Sequence, residues 1–409
     1  MIEINASPSK SASHRGFILA AMTGRSVLVE RPLIAEDTRA TLAGLRQLGY
    51  DWVAQGDDIL FNRGRAVPNG PITIDCQNSG TTLRLLTALS ASYAVPVTLT
   101  GDESLRQRPN EPLLDALRRA GVDVRSEAGC CPMTIQGPAT PGTWSVSGEQ
   151  SSQFVSGLML LAACRPATTI KVNPPMVSTP YIRLTYDMLL AFGLDCVLEE
   201  DDLGGMQLTV NGHCAPAPVR FRIEGDWSSA AFPLVAAALA KRSIRLTGLK
   251  PDSAQADARI VAFLRRFGQH VVFEDNELVL EPRPIRSPGQ LNLGACPDLF
   301  PALVVLASAA DSQVTMRGCP QLAWKESNRI QAMADGLRAA QIGCTAYDDG
   351  LMVKPGPPSA GHIKAQNDHR IKMAFEVLSV SYGGRLTVDS QGAAQVSYPR
   401  FWSDLRKIR

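Results

Sequence analysis

The 409-residue sequence lacks both a long apolar run and an excess of charge of one sign. No apolar stretch is long enough to span a bilayer, which argues against an integral membrane protein. Lys and Arg number 41 against 39 Asp and Glu, so a basic face for nucleic acid is not indicated. The opening MIEINASPSK has no basic segment before its first apolar run and does not resemble a cleavable signal. We expect a cytoplasmic protein with no nucleic-acid or membrane partner.

Metal-binding spacing is also missing. None of the nine cysteines pairs with another at zinc-finger spacing, and none is matched to the five histidines. Most lie in apolar runs, where a free thiol behaves as a small buried hydrophobe. We therefore expect no metal site and no cofactor. The cysteines are Cys76, Cys130, Cys131, Cys164, Cys196, Cys214, Cys296, Cys319 and Cys344.

What the sequence does contain is an internal repeat with a period of about 70 residues, the signature of one supersecondary unit copied several times. A first series of apolar helices begins near Lys10, Asn78, Ser151, Asp226, Asp298 and Asn367. A second, amphipathic series falls between them, near Asp37, Pro109, Pro180, Asp257, Lys325 and Tyr398. Six copies of a small α/β unit account for the chain, and its length favours two domains of three copies each.

The two series predict different environments. First-series helices are apolar nearly all round, as buried helices are, whereas the second series has one apolar stripe and one charged face. Most second-series helices run into a glycine that can take the left-handed C-terminal conformation. These glycines are Gly49, Gly121, Gly193, Gly268 and Gly343. Pro233 falls inside the fourth buried helix, where we expect a kink.

Cations recur at the predicted helix starts. Lys10 opens the first helix with Arg15 close behind, and Lys325 and Arg329 flank Glu326 in KESNR. A cation at the positive end of a helix dipole is unfavourable unless an anion joins it. The pattern favours a small, multiply anionic ligand over a basic surface, and solvated ion pairs remain the alternative.

Nine short motifs, in order from Ser9 to Trp402, resemble the 5-enolpyruvylshikimate-3-phosphate synthases, which are enolpyruvyl transferases. They are SKSASHR, NSGTTLR, RPNEPLLDAL, SSQF, SxPYI, GDWSSAAF, PD, KESNR and NDHR. The resemblance implies a two-domain inside-out α/β barrel with three βαβαββ copies per domain. It implies one domain over residues 9–223, mainly for shikimate 3-phosphate, and another over 1–8 with 224–409, mainly for phosphoenolpyruvate. The active site would lie in the cleft between them.

The resemblance also implies residue roles in moving the enolpyruvyl group of phosphoenolpyruvate to the 5-hydroxyl of shikimate 3-phosphate, through a tetrahedral intermediate with loss of phosphate. Asp298 is the candidate base, Glu326 the candidate proton donor, and Lys10 is also catalytic. Phosphoenolpyruvate would be bound by Lys10, Gly80, Arg108, Gln153, Arg329 and Arg370. Shikimate 3-phosphate would be bound by Ser11, Arg15, Ser151, Ser152, Gln153, Ser178, Tyr181, Gln321 and Lys325. Family members are usually monomers, and we expect one here.

Departures from the family pattern leave two alternatives open. Val396 stands where a lysine is usual, with Arg400 one turn on, and Asn328 stands for aspartate in KESNR. These changes motivate a weakened or silent homologue that binds shikimate 3-phosphate. The second alternative is the enolpyruvyl transferase acting on UDP-N-acetylglucosamine. That enzyme carries a reactive cysteine before its Arg-Pro helix, and GDESLRQRPNE has none.

Overall fold

The computed structural model describes residues 1–165, 167–202, 204–213, 215–389 and 393–409. The chain divides into two compact units. We call Pro8–Ile223 the inserted unit, and Met1–Ser7 together with Glu224–Arg409 the terminal unit. Within the described residues, no helix combines the length and apolar composition needed to cross a bilayer.

Strand β1 (Ile2–Asn5) belongs to the terminal unit, and the chain then enters the inserted unit. The helices of the inserted unit are α1 (Lys10–Met22), α2 (Glu36–Gln47), α3 (Gly80–Ser90), α4 (Glu103–Arg106), α5 (Glu111–Arg119), α6 (Ser152–Ala163) and α7 (Pro180–Ala191). Its strands are β2 (Val27–Glu30), β3 (Tyr50–Gln55), β4 (Asp58–Arg65), β5 (Ile72–Asp75), β6 (Val97–Thr100), β7 (Asp123–Glu127), β8 (Cys130–Gln136), β9 (Thr143–Ser147), β10 (Thr168–Asn173), β11 (Leu194–Glu200), β12 (Met206–His213) and β13 (Arg220–Arg222).

The terminal unit continues with α8 (Trp227–Ala240), α9 (Ile260–Arg266), α10 (Phe300–Ala307), α11 (Arg329–Ala339), α12 (His369–Ser381) and α13 (Phe401–Ile408). Its strands are β14 (Ile244–Thr247), β15 (His270–Glu274), β16 (Glu277–Glu281), β17 (Gln290–Asn292), β18 (Val314–Arg317), β19 (Cys344–Tyr347), β20 (Gly350–Val353), β21 (Gly361–Ile363) and β22 (Leu386–Val388). Short 3-10 turns are Ala256–Arg259, Pro297–Leu299, Pro320–Trp324 and Ala393–Val396.

The sheets repeat one strand order. In the inserted unit the orders are β13-β2-β4-β3, β5-β6-β8-β7 and β9-β10-β12-β11, and in the terminal unit β1-β14-β16-β15 and β17-β18-β20-β19. The first pair of each sheet is parallel and the other two pairs are antiparallel, as a βαβαββ unit requires. The last repeat, which adjoins residues outside the described ranges, has the two-stranded parallel sheet β21-β22. In each unit the first sheet takes its leading strand from a distant part of the chain: β13 closes the inserted unit, and β1 joins β14.

The first-series helices form the core of each unit, as their composition predicts. Helices α1, α3 and α6 pack together in the inserted unit, and α8, α10 and α12 do so in the terminal unit. Every residue of α10 is buried, and α8 is buried from its first residue to Ala238. Because these helices are buried along most of their length, the polar groups that can be reached lie mainly at their ends, and the first turns also offer open backbone amides.

The second-series helices end as predicted in four of five cases. Gly49, Gly121, Gly193 and Gly268 have φ of +89°, +83°, +80° and +84°. The prediction for Gly343 was wrong, because Gln341, with φ of +60°, is the residue in the left-handed region after α11. A left-handed glutamine carries a modest steric cost, which sequence pattern alone does not reveal.

Pro233 is buried within α8, and the helix is continuous from Trp227 to Ala240 around it. Proline lacks the amide hydrogen that would bond to the carbonyl of Ser229, so one helical hydrogen bond is absent. Nothing in the structure explains why proline is used here.

Gly336→Ala should destabilise the terminal unit. An added Cβ on α11 would lie 2.2 Å from Cζ of the fully buried Phe375 on α12. Overpacking costs about 1–3 kcal/mol, and the helix propensity of alanine returns about 1 kcal/mol. We expect a net loss of up to about 2 kcal/mol in the free energy of unfolding by urea. Gly356→Ala is the control, since its Cβ would meet nothing within 4 Å; equal stability of both variants would contradict the packing argument.

Candidate active site

The starts of the buried helices in the inserted unit carry side-chain caps. Ser9, Ser79 and Ser151 accept hydrogen bonds from the backbone amides of Ala12, Thr82 and Gln153, at 3.3, 3.2 and 3.2 Å. Such caps satisfy amides that a helix start otherwise leaves open. Hydrogen bonds between α1 and α6 and between α3 and α6 hold the three starts close together.

Lys10 begins α1 with a partner that the sequence did not reveal. Its Nζ lies 2.8 Å from Oδ2 of Asp37, in the first turn of α2. Both side chains are largely buried, at 13% and 9% exposed. The carboxylate offsets the cost of a cation at the positive end of α1. Ser11, the next residue of α1, is half-buried, and its carbonyl accepts a hydrogen bond from Arg15.

Arg15 lies inside the unit rather than on its surface. Its Nε donates to Oγ1 of Thr185 at 2.7 Å, and its Nη2 donates to Oγ of Ser156 at 2.9 Å. Burial lowers the pKa of Arg15 to about 10, which leaves it protonated at neutral pH. Thr185 also donates to the carbonyl of Tyr181, so Arg15 and the start of α7 share one network.

Gln153 joins two helix starts through its amide. Its Oε1 accepts a hydrogen bond from Nη1 of Arg84 at 2.8 Å, and its Nε2 donates to Oγ1 of Thr81 at 3.0 Å. Arg84 also donates to Oδ1 of the buried Asn110 at 3.2 Å. Sequence reasoning gave Arg84 no role, although it lies one turn into the NSGTTLR helix and adjoins a predicted ligand.

Arg108 lies over the start of α3. Its Nη2 donates to Oδ1 of Asn78 at 3.1 Å and to Oγ of Ser104 at 3.3 Å. A Cβ at Gly80 would lie 2.9 Å from Nη1 of Arg108, so the glycine makes room for the guanidinium. Asn110 donates to the carbonyl of Arg108 at 2.8 Å, which fixes the backbone there.

The remaining predicted ligands of this unit lie at the starts of α6 and α7. Ser151 caps α6, and Ser152 is buried in its first turn. Ser178 is buried in the left-handed region with φ of +54°, two residues before α7 begins at Pro180. Tyr181 is the next residue of α7 and is half-buried.

In the terminal unit, Arg329 is bound by three carboxylates. Its Nη1 donates to Oδ1 of Asp298 at 2.8 Å, its Nη2 to Oε2 of Glu326 at 2.6 Å, and its Nε to Oδ2 of Asp368 at 2.8 Å. Burial would lower the pKa of Arg329, but these three charges outweigh burial and raise it. Asp368 also caps α12 through Oδ1 and accepts a hydrogen bond from Ser327, so Arg329 is held from a fixed helix end.

Asp298 is shared by two arginines. Besides Arg329, Nη2 of Arg370 donates to its Oδ2 at 3.0 Å. Burial would raise the pKa of Asp298, but the charges of Arg370, Lys325 and Arg329 hold it well below its usual range. Asp298 is therefore an ionised carboxylate, and a weak base while both arginines hold it. The structure thus joins Asp298, Glu326, Arg329 and Arg370 into one cluster.

Gln321 and Lys325 flank this cluster along the chain. Gln321 is buried in the turn before KESNR, and its Nε2 donates to the carbonyl of Gly294 at 3.0 Å. Its Oε1 is buried with no hydrogen-bond partner in the part of the chain that the structure describes. Lys325 is half-buried, and its charge acts on Asp298.

The chain matches the family model described as EPSP synthase (3-phosphoshikimate 1-carboxyvinyltransferase) over residues 2–405. It belongs to the EPSP synthase family. A relative from Methanocorpusculum labreanum named 3-phosphoshikimate 1-carboxyvinyltransferase is 36% identical over 411 residues, covering 99% of this chain and 95% of the relative. One from Methanospirillum hungatei is 34% identical over 413 residues, with the same two coverages.

Solved structures agree with the family. An EPSP synthase from Acinetobacter baumannii matches with a TM-score of 0.80 at 25% identity, covering 99% of this chain and 95% of that one. The enolpyruvyl transferase NikO from Streptomyces tendae has a TM-score of 0.74 at 21% identity, covering 100% and 94%, and supports the fold alone. The resemblance read from the motifs and the expected fold class, an inside-out α/β barrel with two domains, are confirmed.

One departure from the EPSP synthase family pattern has a structural explanation. Asn328 caps α11 by accepting a hydrogen bond from the amide of Gln331 at 3.2 Å. Asparagine and aspartate serve equally well at this position. Val396, which stands where the family usually has a lysine, ends the turn Ala393–Val396. Arg400 could supply the missing charge, but its Nη2 already donates to the carbonyl of Asn5 at 2.6 Å.

Over the ranges that the structure describes, no group of three or more His, Cys, Asp or Glu side chains is arranged so that it could hold a metal ion. The described cysteines are free thiols, and Cys214 lies outside the described residues. Asp298 and its partners are therefore organised around arginine.

Asp257 is a buried carboxyl that the sequence reasoning did not single out. It accepts a hydrogen bond from Oγ of Ser228, at the start of α8. Burial and, next, the charge of Asp298 raise its pKa to about 7, against the opposing charge of Arg370. The pKa of Asp257 is thus raised while that of Asp298 is lowered. Strongly shifted pKa values of this kind are common at functional sites.

Asp257→Asn should remove a pH dependence of stability. Between pH 3.8, the ordinary pKa of the carboxyl group, and about pH 7, its pKa in the folded chain, Asp257 is protonated in the folded chain and ionised in the unfolded chain. The contribution of Asp257 to the free energy of unfolding therefore falls as pH rises across this window. Measured by urea unfolding, the stability of Asp257→Asn relative to the natural chain should rise with pH through the window and level off above it. The exposed Asp252→Asn is the control, and a pH-independent difference for Asp257→Asn would contradict the assignment.

Proposed function

We infer that this chain transfers the enolpyruvyl group of phosphoenolpyruvate to the 5-hydroxyl of shikimate 3-phosphate and releases phosphate. This step belongs to the shikimate pathway, which leads to chorismate and the aromatic amino acids. The observation that carries the proposal is full-length membership of the EPSP synthase family, with relatives of that name. The arginine–carboxylate cluster of the terminal unit supports it, since its chemistry suits an anionic substrate.

In the inserted unit, the proposed roles follow the helix starts. Arg108, with room made by Gly80, and Lys10 and Gln153 would bind the phosphate of phosphoenolpyruvate, because helix N-termini and cations favour anions there. Ser151, Ser152 and Ser178 would surround the phosphate of shikimate 3-phosphate, and Ser11, Arg15 and Tyr181 would bind its remaining groups. In the terminal unit, Lys325 and Gln321 are further proposed ligands of shikimate 3-phosphate. The buried Oε1 of Gln321, which has no hydrogen-bond partner among the described residues, supports a polar contact.

The roles in the terminal unit involve an exchange of partners. Arg329 and Arg370 present planar guanidinium groups that suit a carboxylate, and Asp298 and Glu326 occupy them in this structure. When the carboxylate of phosphoenolpyruvate takes these donors, Asp298 loses the interactions that depress its pKa. It can then accept the proton of the attacking 5-hydroxyl. Glu326, released from Arg329 in the same exchange, would take up a proton from water and is then the proposed proton donor to the methylene carbon.

The two alternatives are not favoured. Relatives at 34–36% identity over 99% of the chain carry the synthase name. The silent-homologue reading rested on Val396 and Asn328, and Asn328 retains the capping function that aspartate would have. We further propose that the chain acts as a cytoplasmic monomer.

The direct test is phosphate release by the purified chain with shikimate 3-phosphate and phosphoenolpyruvate. Prompt turnover with this pair, and none when UDP-N-acetylglucosamine replaces the shikimate ester, is the expected result. Absence of turnover with every acceptor, in a chain that still binds shikimate 3-phosphate, would instead support the silent homologue.

Arg329→Lys should lower turnover strongly. Lysine keeps the charge but cannot donate to Asp298, Glu326 and Asp368 together, and loss of one positioned donor costs about 10²–10³-fold in kcat. We expect a fall of about 10²-fold or more in kcat. Arg338→Lys, on the exposed face of the same helix, is the matched control and should leave kcat unchanged. Similar activity in both variants would remove Arg329 from the mechanism.

Gly80→Ala should weaken phosphoenolpyruvate binding. The new Cβ would displace the Arg108 guanidinium, which lies 2.9 Å away and is flexible, so the fold should tolerate the change. We expect KM for phosphoenolpyruvate to rise by about tenfold, the effect of about 1.4 kcal/mol of lost binding, with little change in KM for shikimate 3-phosphate. Gly70→Ala, whose Cβ would meet nothing within 4 Å, is the control. An unchanged KM in Gly80→Ala would separate Arg108 from this substrate.

A further inference from the structure

A polar cavity lies at the far end of the buried helices of the inserted unit. The catalytic candidates occupy the starts of α1, α3 and α6, whereas the cavity is lined by Met22, Ser92 and Cys164, where those helices end. Its volume is about 280 Å³, near the lower end of the ~300–1,000 Å³ range of small-molecule pockets. Tyr50, Arg65 and Arg165 also line it.

Arg65, though exposed to solvent, contacts two tyrosines at this cavity. Its Nη1 donates to the hydroxyl oxygens of Tyr50 and Tyr93, both at 3.2 Å. Its Cζ lies 4.9 Å from the centre of the Tyr93 ring and 5.7 Å from that of Tyr50. Tyr93 in turn donates to the carbonyl of Leu48 at 2.9 Å. A side chain fixed in this way loses little further freedom when a ligand binds.

Arg165 supplies a second cation. It donates to the backbone carbonyls of Ala139, Cys164 and Ser92, at 3.1, 3.0 and 3.3 Å. In the described ranges, neither Arg65 nor Arg165 forms an ion pair with a carboxylate, because every group they bond to is a neutral oxygen. Within the described ranges, the cavity therefore carries two positive charges that are met by hydroxyl and carbonyl oxygens and by no acidic side chain.

We propose that this cavity binds a small oxyanion, a phosphate or carboxylate group carried by a compact molecule. Two arginines match that chemistry because a guanidinium can donate two parallel hydrogen bonds to a planar carboxylate or to phosphate oxygens. The Tyr50 ring and the Met22 side chain would contact the apolar part of the ligand. The site is separate from the proposed catalytic residues, so it stands or falls independently of the enzymatic activity.

The test is calorimetric titration of the full chain at low ionic strength, with inorganic phosphate and, separately, with benzoate. Arg65→Gln removes the clamped cation, and Arg63→Gln removes an exposed cation from the same strand, β4, that does not line the cavity. We expect Arg65→Gln to bind at least one probe about tenfold more weakly, or to lose one of its binding transitions, since hydrogen bonds to charged groups are of that strength. Arg63→Gln should match the natural chain.

The two probes identify the oxyanion. If Arg65→Gln loses affinity for phosphate alone, the site binds phosphate groups; if it loses affinity for benzoate alone, the site binds carboxylates. Loss of affinity for both probes means that the site accepts both kinds of oxyanion. Phosphate bound at the proposed catalytic residues would persist in every variant and does not confuse the comparison. Titrations of Arg65→Gln that change by less than about threefold for both probes, or an equal loss in Arg63→Gln, overturn the proposal.

A second measurement covers the case in which Arg65→Gln fails to fold. Alkylation of the natural chain by N-ethylmaleimide, followed by peptide mass spectrometry, reports on Cys164 within the cavity and on Cys344 in the terminal unit, and both thiols are half-buried. A saturating probe should slow modification of Cys164 about fivefold or more while leaving Cys344 unchanged. Equal rates at Cys164 with and without both probes would overturn the proposal.

Discussion

The constraint on which this structure depends is that three apolar helices are buried side by side in each unit. A helix surrounded by other elements has almost no polar face to offer, so its first turn, with open amides and a positive dipole end, is where polar chemistry can be placed. Lys10, Gly80, Ser152 and Arg370 all lie in such first turns, and Asp298 lies just before one. The repeat therefore concentrates function in a few residues per copy.

The electrostatics of the terminal unit follow from burying Arg329. Burying a charge is costly unless it is paired and hydrogen-bonded, and three carboxylates surround this guanidinium. The charges of Arg370, Lys325 and Arg329 hold Asp298 ionised, whereas burial and, next, the charge of Asp298 raise the pKa of Asp257 to about 7. In the proposed reaction, the substrate carboxylate would have to displace a carboxylate already bound to Arg329 or Arg370. This exchange would couple the affinity for the substrate to the affinity of Asp298 for a proton.

Much of the fold was predictable because it repeats. Helix starts, buried and exposed helix faces and four left-handed glycines follow from local pattern, and the motif order identified the family. The partners of the site residues were not predictable. Asp37 is 27 residues from Lys10, on the other helix of the same repeat, and Asp368 is 39 residues from Arg329, in the next repeat, so both pairs are made by packing between helices rather than by spacing along one helix. Gln341 took the left-handed position expected of Gly343 for a related reason, since the exact end of a helix depends on what it packs against.

The consequence of a departure from the family pattern depends on which property of the usual side chain the new residue keeps. Asn328 keeps the oxygen that accepts the helix-capping hydrogen bond, so its replacement of aspartate is chemically nearly neutral. Val396 has no such equivalence, because a valine cannot replace a positive charge, and the nearby Arg400 is bound to Asn5. Under the proposed function, the charge that a lysine would supply at position 396 would have to come from other cations, for which Arg329 and Arg370 are the candidates.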